Sequence, residues 1–310
     1  MVITVTINPA VDKTYIVENF KPGDINRAQR IIYNAGSNAI NVSRVLKQVN
    51  RDNTVLGFVG GRNGDILLSE LASDGIKEDL IRVEGDIRLN VKIMDTVSHL
   101  ITEVNEAGNP ITQKEYKDFI SKYKEYLQKC EAVVLSGSLL PEMNVHEYFD
   151  LVKIAKSFNK PTFLNCSGKL MNAALDASPT YIKPNYREFC DLIGKKDMSK
   201  EEIIESSIKI IEKHNIEYVI VSCSDKGSIG VSKSEIYHII PPNIEVLSTI
   251  GAGDAYMAGL CHGYLSGFDF KTQLILATSF ASAKITKEGN NIPSLVELLG
   301  YADGCIVKKL

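Results

Sequence analysis

The chain has 310 residues, 44% of them hydrophobic and 24% charged, with 35 basic against 38 acidic side chains and a formal net charge of −3. That balance argues against a nucleic-acid partner held by bulk electrostatics, and no apolar run is long enough to span a bilayer. The length fits one large α/β domain, and the start Met1-Val2-Ile3-Thr4-Val5 has no basic leader region, so the cytoplasm is the expected compartment. The six cysteines, Cys130, Cys166, Cys190, Cys223, Cys261 and Cys305, are scattered, with no Cys-x-x-Cys pair and no His at metal spacing. They read as buried free thiols, not as a zinc site.

The run Ile3–Ile7 alternates apolar residues with Thr and reads as a strand ending at the turn Asn8-Pro9-Ala10. Two short β-like runs, Thr14–Val17 and Ala28–Tyr33, flank Pro22-Gly23, and 33–38 reads as a loop. A helix is predicted over Ala39–Val49, a strand over Thr54–Val59 and a helix over Asp65–Ser73. Ile87–Asp95 and Leu100–Val104 read as a hairpin. Together with residues 12–34 it interrupts the strand–helix rhythm and predicts a small sheet outside the main core.

From residue 110 the rhythm is regular. Helices at Lys114–Lys129, Val145–Ser157, Tyr186–Ile193 and Lys200–His214 alternate with strands at Ala132–Leu135, Thr162–Asn165, Tyr181–Lys183 and Tyr218–Ser222. Such alternation predicts a mostly parallel sheet with helices on both faces. A β-rich stretch, Ser228–Ile240, and helices at Ala255–Leu265 and Thr272–Thr286 close the chain.

Chemistry concentrates at the strand ends, where open α/β sheets form their crevices. Ser136-Gly137-Ser138, Lys183-Pro184-Asn185 with Glu188, Ser222–Gly227 and Ser248–Asp254 are the four polar clusters. In the last, Gly251 and Gly253 let backbone N–H groups converge at a helix start, a ready anion site, and Asp254 adds a carboxylate beside it. The plain alternative is helix capping by Asp254. Asn185 and Glu188, three apart, suit either a capping box or a Mg²⁺ held through water. There is no Gly-x4-Gly-Lys-Ser/Thr loop, no Gly-x-Gly-x-x-Gly after the first strand and no nucleophile elbow. These absences disfavour Walker-type, dinucleotide and serine-hydrolase chemistry.

The order of motifs resembles the ribokinase-like carbohydrate kinases, in the phosphofructokinase B branch. It is most similar to the members that phosphorylate fructose 1-phosphate or tagatose 6-phosphate. The resemblance runs nearly end to end: Thr6-Ile7-Asn8-Pro9-Ala10-Val11-Asp12, Asn26-Arg27-Ala28, Asn41-Val42-Ser43-Arg44-Val45-Leu46, Gly57–Gly61, Arg88-Leu89-Asn90-Val91-Lys92, Ser136–Leu139, Lys183-Pro184-Asn185-x-x-Glu188 and Gly251-Ala252-Gly253-Asp254. It implies one kinase domain over 1–310, a three-layer α/β sandwich with a β-sheet lid from 12–34 and 87–106, and ATP and Mg²⁺ as cofactors. It implies Asp254 as catalytic base and Gly251, Ala252 and Gly253 as anion hole. Asp12, Arg27, Gly36, Asn38, Asn41, Arg88 and Ser138 would meet the sugar phosphate, with the two arginines on its phosphate. Lys183, Asn185, Ser222, Ser224, Gly227 and the helix near Ala277–Lys284 would border the nucleotide, and Glu188 would hold Mg²⁺ through water. A homodimer through the lid is also implied.

Three positions depart from the family pattern. Asn38 stands where a lysine near the sugar phosphate is usual, Asn165 where an Asp is usual, and Ser224 where the nucleotide loop usually has glycine. The leading expectation is ATP-dependent conversion of fructose 1-phosphate to fructose 1,6-bisphosphate. Tagatose-6-phosphate kinase is the alternative within the class. A non-catalytic sugar-phosphate-binding protein is the alternative outside it, supported only by Asn38 and Ser224.

Overall fold

A computed structural model describes residues 1–289 and 291–310. In chain order, β1 (Val2–Thr6) leads to the hairpin β2 (Ala10–Val17) and β3 (Ala28–Gly36), then α1 (Asn38–Gln48), β4 (Asn53–Val59) and α2 (Gly61–Ser73). Two short strands, β5 (Lys77–Glu78) and β6 (Ile81–Arg82), precede a second hairpin, β7 (Arg88–Asp95) and β8 (Ile101–Asn105). Next come α3 (Gln113–Leu127), β9 (Ala132–Ser136), α4 (Glu147–Ser157), β10 (Thr162–Asn165), α5 (Gly168–Leu175) and β11 (Tyr181–Ile182). They are followed by α6 (Tyr186–Ile193), α7 (Lys200–His214) and β12 (Tyr218–Ser222). The chain ends with β13 (Ser228–Ser232), β14 (Ile236–Ile240), α8 (Ala252–Leu265), α9 (Phe270–Ile285), α10 (Leu295–Leu299) and β15 (Ile306–Lys309).

Eleven strands form the main sheet in the order β15-β14-β13-β12-β11-β10-β9-β1-β4-β5, with β6 paired to β4. From β12 through β4 every pairing is parallel. The cause lies in strands apolar on both faces, which only helices on each side can cover. Ile3 and Val5, Val133 and Leu135, Leu164, and Val219 and Val221 point into one core, under α3 to α7. Val2, Ala132 and Val134, Phe163 and Ile220 point into the other, under α1, α8, α9 and α10. Across β10, β11 and β12 the rings of Phe163, Tyr181 and Tyr218 stack at centroid separations of 4.5 and 4.3 Å. Burying each such ring contributes about 1.5–3 kcal/mol, so loss of Tyr181 would open the sheet beneath α8 and α9.

The remaining strands form a separate four-stranded sheet in the order β3-β2-β7-β8. Its register puts Asp12 level with Asn34 and Asn90, and Lys13 level with Tyr33 and Val91. Alternate rows face opposite ways, so one face carries the polar side chains and the other carries Ile31, Tyr33 and Val104.

The sequence reading needs correction at several places. β3 runs on to Gly36 where turn residues predicted a loop from Tyr33, because Asn34, Ala35 and Gly36 pair with Asp12, Val11 and Ala10. α5, α10 and β15 were not expected. α10 is only 5 residues long, too short to display an apolar period. β15 is recognisable only from its pairing with β14. Cys130, Cys166, Cys190 and Cys261 are buried free thiols as expected, whereas Cys223 and Cys305 are half-buried. No helix among the described residues is long and apolar enough to cross a membrane.

Candidate active site

Parallel pairing places the C-terminal ends of β1, β9, β10, β11 and β12 along one edge of the main sheet. The loop after β14 carries Gly251 to that edge. Gly251 is the N-cap of α8 with φ +76°, a left-handed conformation that favours glycine. The N–H of Ala252 turns back to Thr249 O at 3.3 Å, and those that follow open the first turn, where helices leave donors free for an anion.

Asp254 does not cap this helix. Its carboxylate is 4% exposed and is held by three carboxamides. Asn38 Nδ2 donates to Oδ1 at 3.0 Å, Asn41 Nδ2 to Oδ2 at 2.9 Å and Asn165 Nδ2 to Oδ1 at 3.4 Å. Burial pushes the Asp254 carboxyl above the usual carboxylate range. The amides of Asn41 and Asn38, and the ammonium groups of Lys183 and Lys284, pull it back down. The orientation of Asn41 is itself fixed, since Arg44 Nη1 donates to its Oδ1 at 3.2 Å and Arg44 Nε is paired with Asp74 at 2.6 Å.

This geometry gives Asn38 a partner that its position in the sequence did not suggest. It was expected to meet the sugar phosphate. Instead Ser37 is the N-cap of α1 without a side-chain bond, and the Asn38 amide faces the Asp254 carboxylate. Asn165, one of the departures from the family pattern, belongs to the same cluster and also donates to Ser136 Oγ at 3.0 Å.

Lid and sheet meet through Gly36. A Cβ there would lie 2.6 Å from Asp12 Oδ1, so only glycine lets the Asp12 carboxylate occupy that place. Asp12 accepts from Asn90 Nδ2 at 2.9 Å and Lys92 Nζ at 3.0 Å. Gly36 is two residues from Asn38, a span of about 7 Å at most, so the carboxylates of Asp12 and Asp254 flank one short segment. Arg88, half-buried in β7, donates Nε to Asn8 O at 3.2 Å. Burial lowers its pKa while Asp12 partly restores it. Ser138 is exposed after β9, where Asn8 Nδ2 approaches its Oγ at 3.4 Å. Arg27 is not brought to this place. It precedes Ala28, which pairs with Val17, and five strand residues put it about 17 Å from Asp12 along the lid.

On the other side of Asp254, Lys183 is 4% exposed. Its Nζ lies 3.4 Å from where a Cβ of Gly253 would be. Burial lowers its pKa, with Asp254 and Glu188 opposing. Asn185 bridges to Ser222, joining two of the expected nucleotide segments. Asn185 and Glu188 form a reciprocal capping box on α6: Asn185 Oδ1 accepts from Glu188 N at 2.9 Å and Glu188 Oε2 accepts from Asn185 N at 2.8 Å. Of the two readings offered for this pair, capping is realised. Ser224 has φ +55°, so it adopts the backbone conformation that glycine normally supplies. Gly227 has φ +86°, and a Cβ there would meet Ile239 O at 1.9 Å.

Asn90, Lys92 and Arg44 escaped sequence reasoning as site residues. The alternation Arg88, Asn90, Lys92 on one strand was a usable signal, since polar residues at period two share a face.

A family model described as pfkB family carbohydrate kinase matches residues 2–297. Among solved structures, one from Thermotoga maritima described as a "Possible 1-phosphofructokinase" shares 27% identity with a TM-score of 0.90, covering 100% of this chain and 99% of that one. Phosphofructokinase-2 from Escherichia coli in complex with substrates and products shares 21% identity with a TM-score of 0.90, covering 97% and 98%. The tetrameric inhibited form of that enzyme shares 20% identity with a TM-score of 0.89 over the same shares. The last two show likeness of fold. With the family match spanning nearly the whole chain, this protein belongs to the pfkB family of carbohydrate kinases.

Proposed function

We propose that this sugar kinase transfers the γ-phosphoryl group of ATP to a ketohexose phosphate, with fructose 1-phosphate as the first candidate acceptor. The observation that carries this reading is the buried Asp254 carboxylate, fixed by three amides at the N-terminus of α8 beside the Gly251–Gly253 turn. Phosphoryl transfer needs positioning and charge stabilisation more than covalent catalysis. Asp254 accepts the proton of the attacking hydroxyl as the new P–O bond forms. The first N–H groups of α8 and Lys183 offset charge on the transferred group. Asp12, with Asn90 and Lys92, grips sugar hydroxyls, and Arg88 faces the acceptor's own phosphate. Lys183, Asn185, Ser222, Ser224 and Gly227 border the nucleotide.

Among the described residues no group of three or more His, Cys, Asp or Glu side chains is placed to hold a metal ion. That agrees with Mg²⁺ arriving on the nucleotide, since Mg²⁺ keeps most of its waters and needs few carboxylates. Glu188, with one oxygen committed to the cap, would hold it through water, and the ion would supply neutralisation of phosphate charge.

The outer face of the lid bears exposed Ile31, Tyr33 and Val104, 41–61% accessible, with Lys13 Nζ over the rings of Tyr15 and Tyr33 at 4.9 and 5.2 Å. A second copy of the chain covering this face gives a homodimer. Sedimentation of Tyr33→Asp against wild type tests it, and an unchanged molar mass for both would remove the lid from the interface.

The acceptor is tested with fructose 1-phosphate, tagatose 6-phosphate and fructose 6-phosphate in a coupled ADP-release assay. A kcat/KM at least tenfold higher for fructose 1-phosphate supports the reading. A higher value for tagatose 6-phosphate assigns that acceptor instead. No turnover with any of them would overturn the sugar-phosphate assignment.

A further inference from the structure

The last turn of α9 carries a side chain with no part in the scheme above. Lys284 is 2% exposed, and its ammonium donates to the carbonyl of Gly289 at 2.6 Å. A Cβ on Gly251 would meet Lys284 Cε at 3.2 Å and Nζ at 3.9 Å, so the lysine lies directly behind the glycine turn. The end of α9 is tied to the same segment, because Ile285 O accepts the N–H groups of Leu247 at 2.8 Å and Ser248 at 3.2 Å. A helix C-terminus carries partial negative charge. Placed behind an anion site at the start of α8, it would weaken that site. A buried ammonium at this position opposes it. Packing alone does not call for one, since burying a charge is costly and an apolar side chain would fill the space.

We infer that Lys284 is a positioning residue of the phosphoryl site: its ammonium clamps the Gly251–Gly253 turn against the 289 loop and supplies fixed positive charge behind the terminal phosphoryl of a bound nucleoside triphosphate. The inference rests on the kinase reading. Charged groups face Lys284 from each neighbouring element. Asp254 on α8 attracts it, Arg44 on α1 repels it, and Lys183 lies on the far side of Gly253. Lys287, on the next turn, is paired with Glu297. Burial lowers the Lys284 pKa to about 8. The charge is therefore present below that pH and lost above it, so affinity for the triphosphate falls as pH rises through about 8.

The test uses the full chain with Mg²⁺ and no sugar. ATP and ADP affinities are measured by calorimetry for wild type and Lys284→Met between pH 6.5 and 9.5. ATP binding to Lys284→Met should weaken about tenfold at pH 7, the scale of one charge-assisted contact, with ADP binding within about twofold of wild type. The alkaline fall seen in wild type should vanish in the variant. Should Lys284→Met fail to fold, as a melting curve would show, Lys284→Gln replaces it with the same expectations. An ATP-to-ADP affinity ratio and alkaline fall equal to those of wild type would overturn the inference while leaving the kinase reading intact. A wild-type chain that binds no ATP would overturn the kinase reading and the inference with it.

Discussion

The two sheets of this chain differ in what their residues are for. Every residue of β1, β4 and β9 is buried, and their side chains divide between the two cores and a third cluster, where Val55 and Val59 meet Leu67 and Leu71 of α2. In the lid, β8 is exposed at all five positions and β3 over most of its length. The lid's inner face spends its side chains on Asp12, Asn90 and Lys92. A segment with little buried apolar area opens at lower free energy than a core strand. Stability therefore resides in the main sheet, and on the proposed function acceptor recognition falls to the lid, with the proposed catalytic carboxylate on the main-sheet side of the join at Gly36–Asn38.

Substitutions on either side of that join should separate by the kinetic constant they change. The largest effect is expected on the main-sheet side. Asp254→Asn removes the proposed general base and should lower kcat on the order of 10²-fold or more, with nucleotide binding retained. Turnover within about threefold of wild type would show that another group takes the proton. Asp12→Ala, on the lid side, removes the proposed charge-assisted contact to the sugar, worth about 1.5–3 kcal/mol, roughly 10- to 150-fold in KM. Its kcat should fall far less than that of Asp254→Asn. A loss confined to kcat, with KM unchanged, would break the division between the sheets.

Much of this division was legible in the chain. The main sheet announced itself through regular alternation after residue 110, and α6, α7 and β12 lie where periodicity put them. The lid was legible as an interruption of that rhythm. Its boundaries were not, because Asn34, Ala35 and Gly36 are turn residues by type and strand residues only through pairing with β2. At the site, Gly251 and Asp254 were found from local order. The three amides on Asp254 were not, because their sequence separations of 216, 213 and 89 residues leave no local pattern. Asn38 shows the limit most clearly. A residue type read by position was assigned to the substrate, and only the crossing of α1 and α8 directs its amide to Asp254.

A smaller effect follows for Asn38→Ala, which tests that crossing. Hydrogen bonds to the charged form lower a carboxyl pKa, and Asn38 supplies one of those that hold Asp254 down against burial. Without it the Asp254 pKa rises further, so the base becomes protonated at higher pH. The acid limb of kcat/KM should move upward, while kcat on the plateau falls only a few-fold, about 1 kcal/mol. KM for the sugar phosphate should hold within about twofold. A rise in KM with an unmoved acid limb would return Asn38 to the acceptor's phosphate.

The smallest effect concerns Ser224, where the proposed nucleotide loop departs from the family pattern. The residue sits at φ +55° in a short 3₁₀ turn, Ser224–Lys226. Its carbonyl accepts the N–H of Gly227 at 3.0 Å, and Cys223 N–H donates to Gly227 O at 2.7 Å. His238 Nε2 lies 2.8 Å from Lys226 O and ties the turn to β14. Holding a serine in the left-handed region costs roughly 1–2 kcal/mol. Glycine avoids that cost, but it loses more backbone freedom on folding, about 0.5–1 kcal/mol. The difference favours Ser224→Gly slightly, and for a chain of this length it amounts to a rise in Tm of roughly 1–3 °C. Because the loop's bonds already impose the glycine-like conformation, KM for ATP should stay within about twofold. A lower Tm would show that the Ser224 side chain stabilises the turn, and a large fall in KM would show that serine distorts the nucleotide loop.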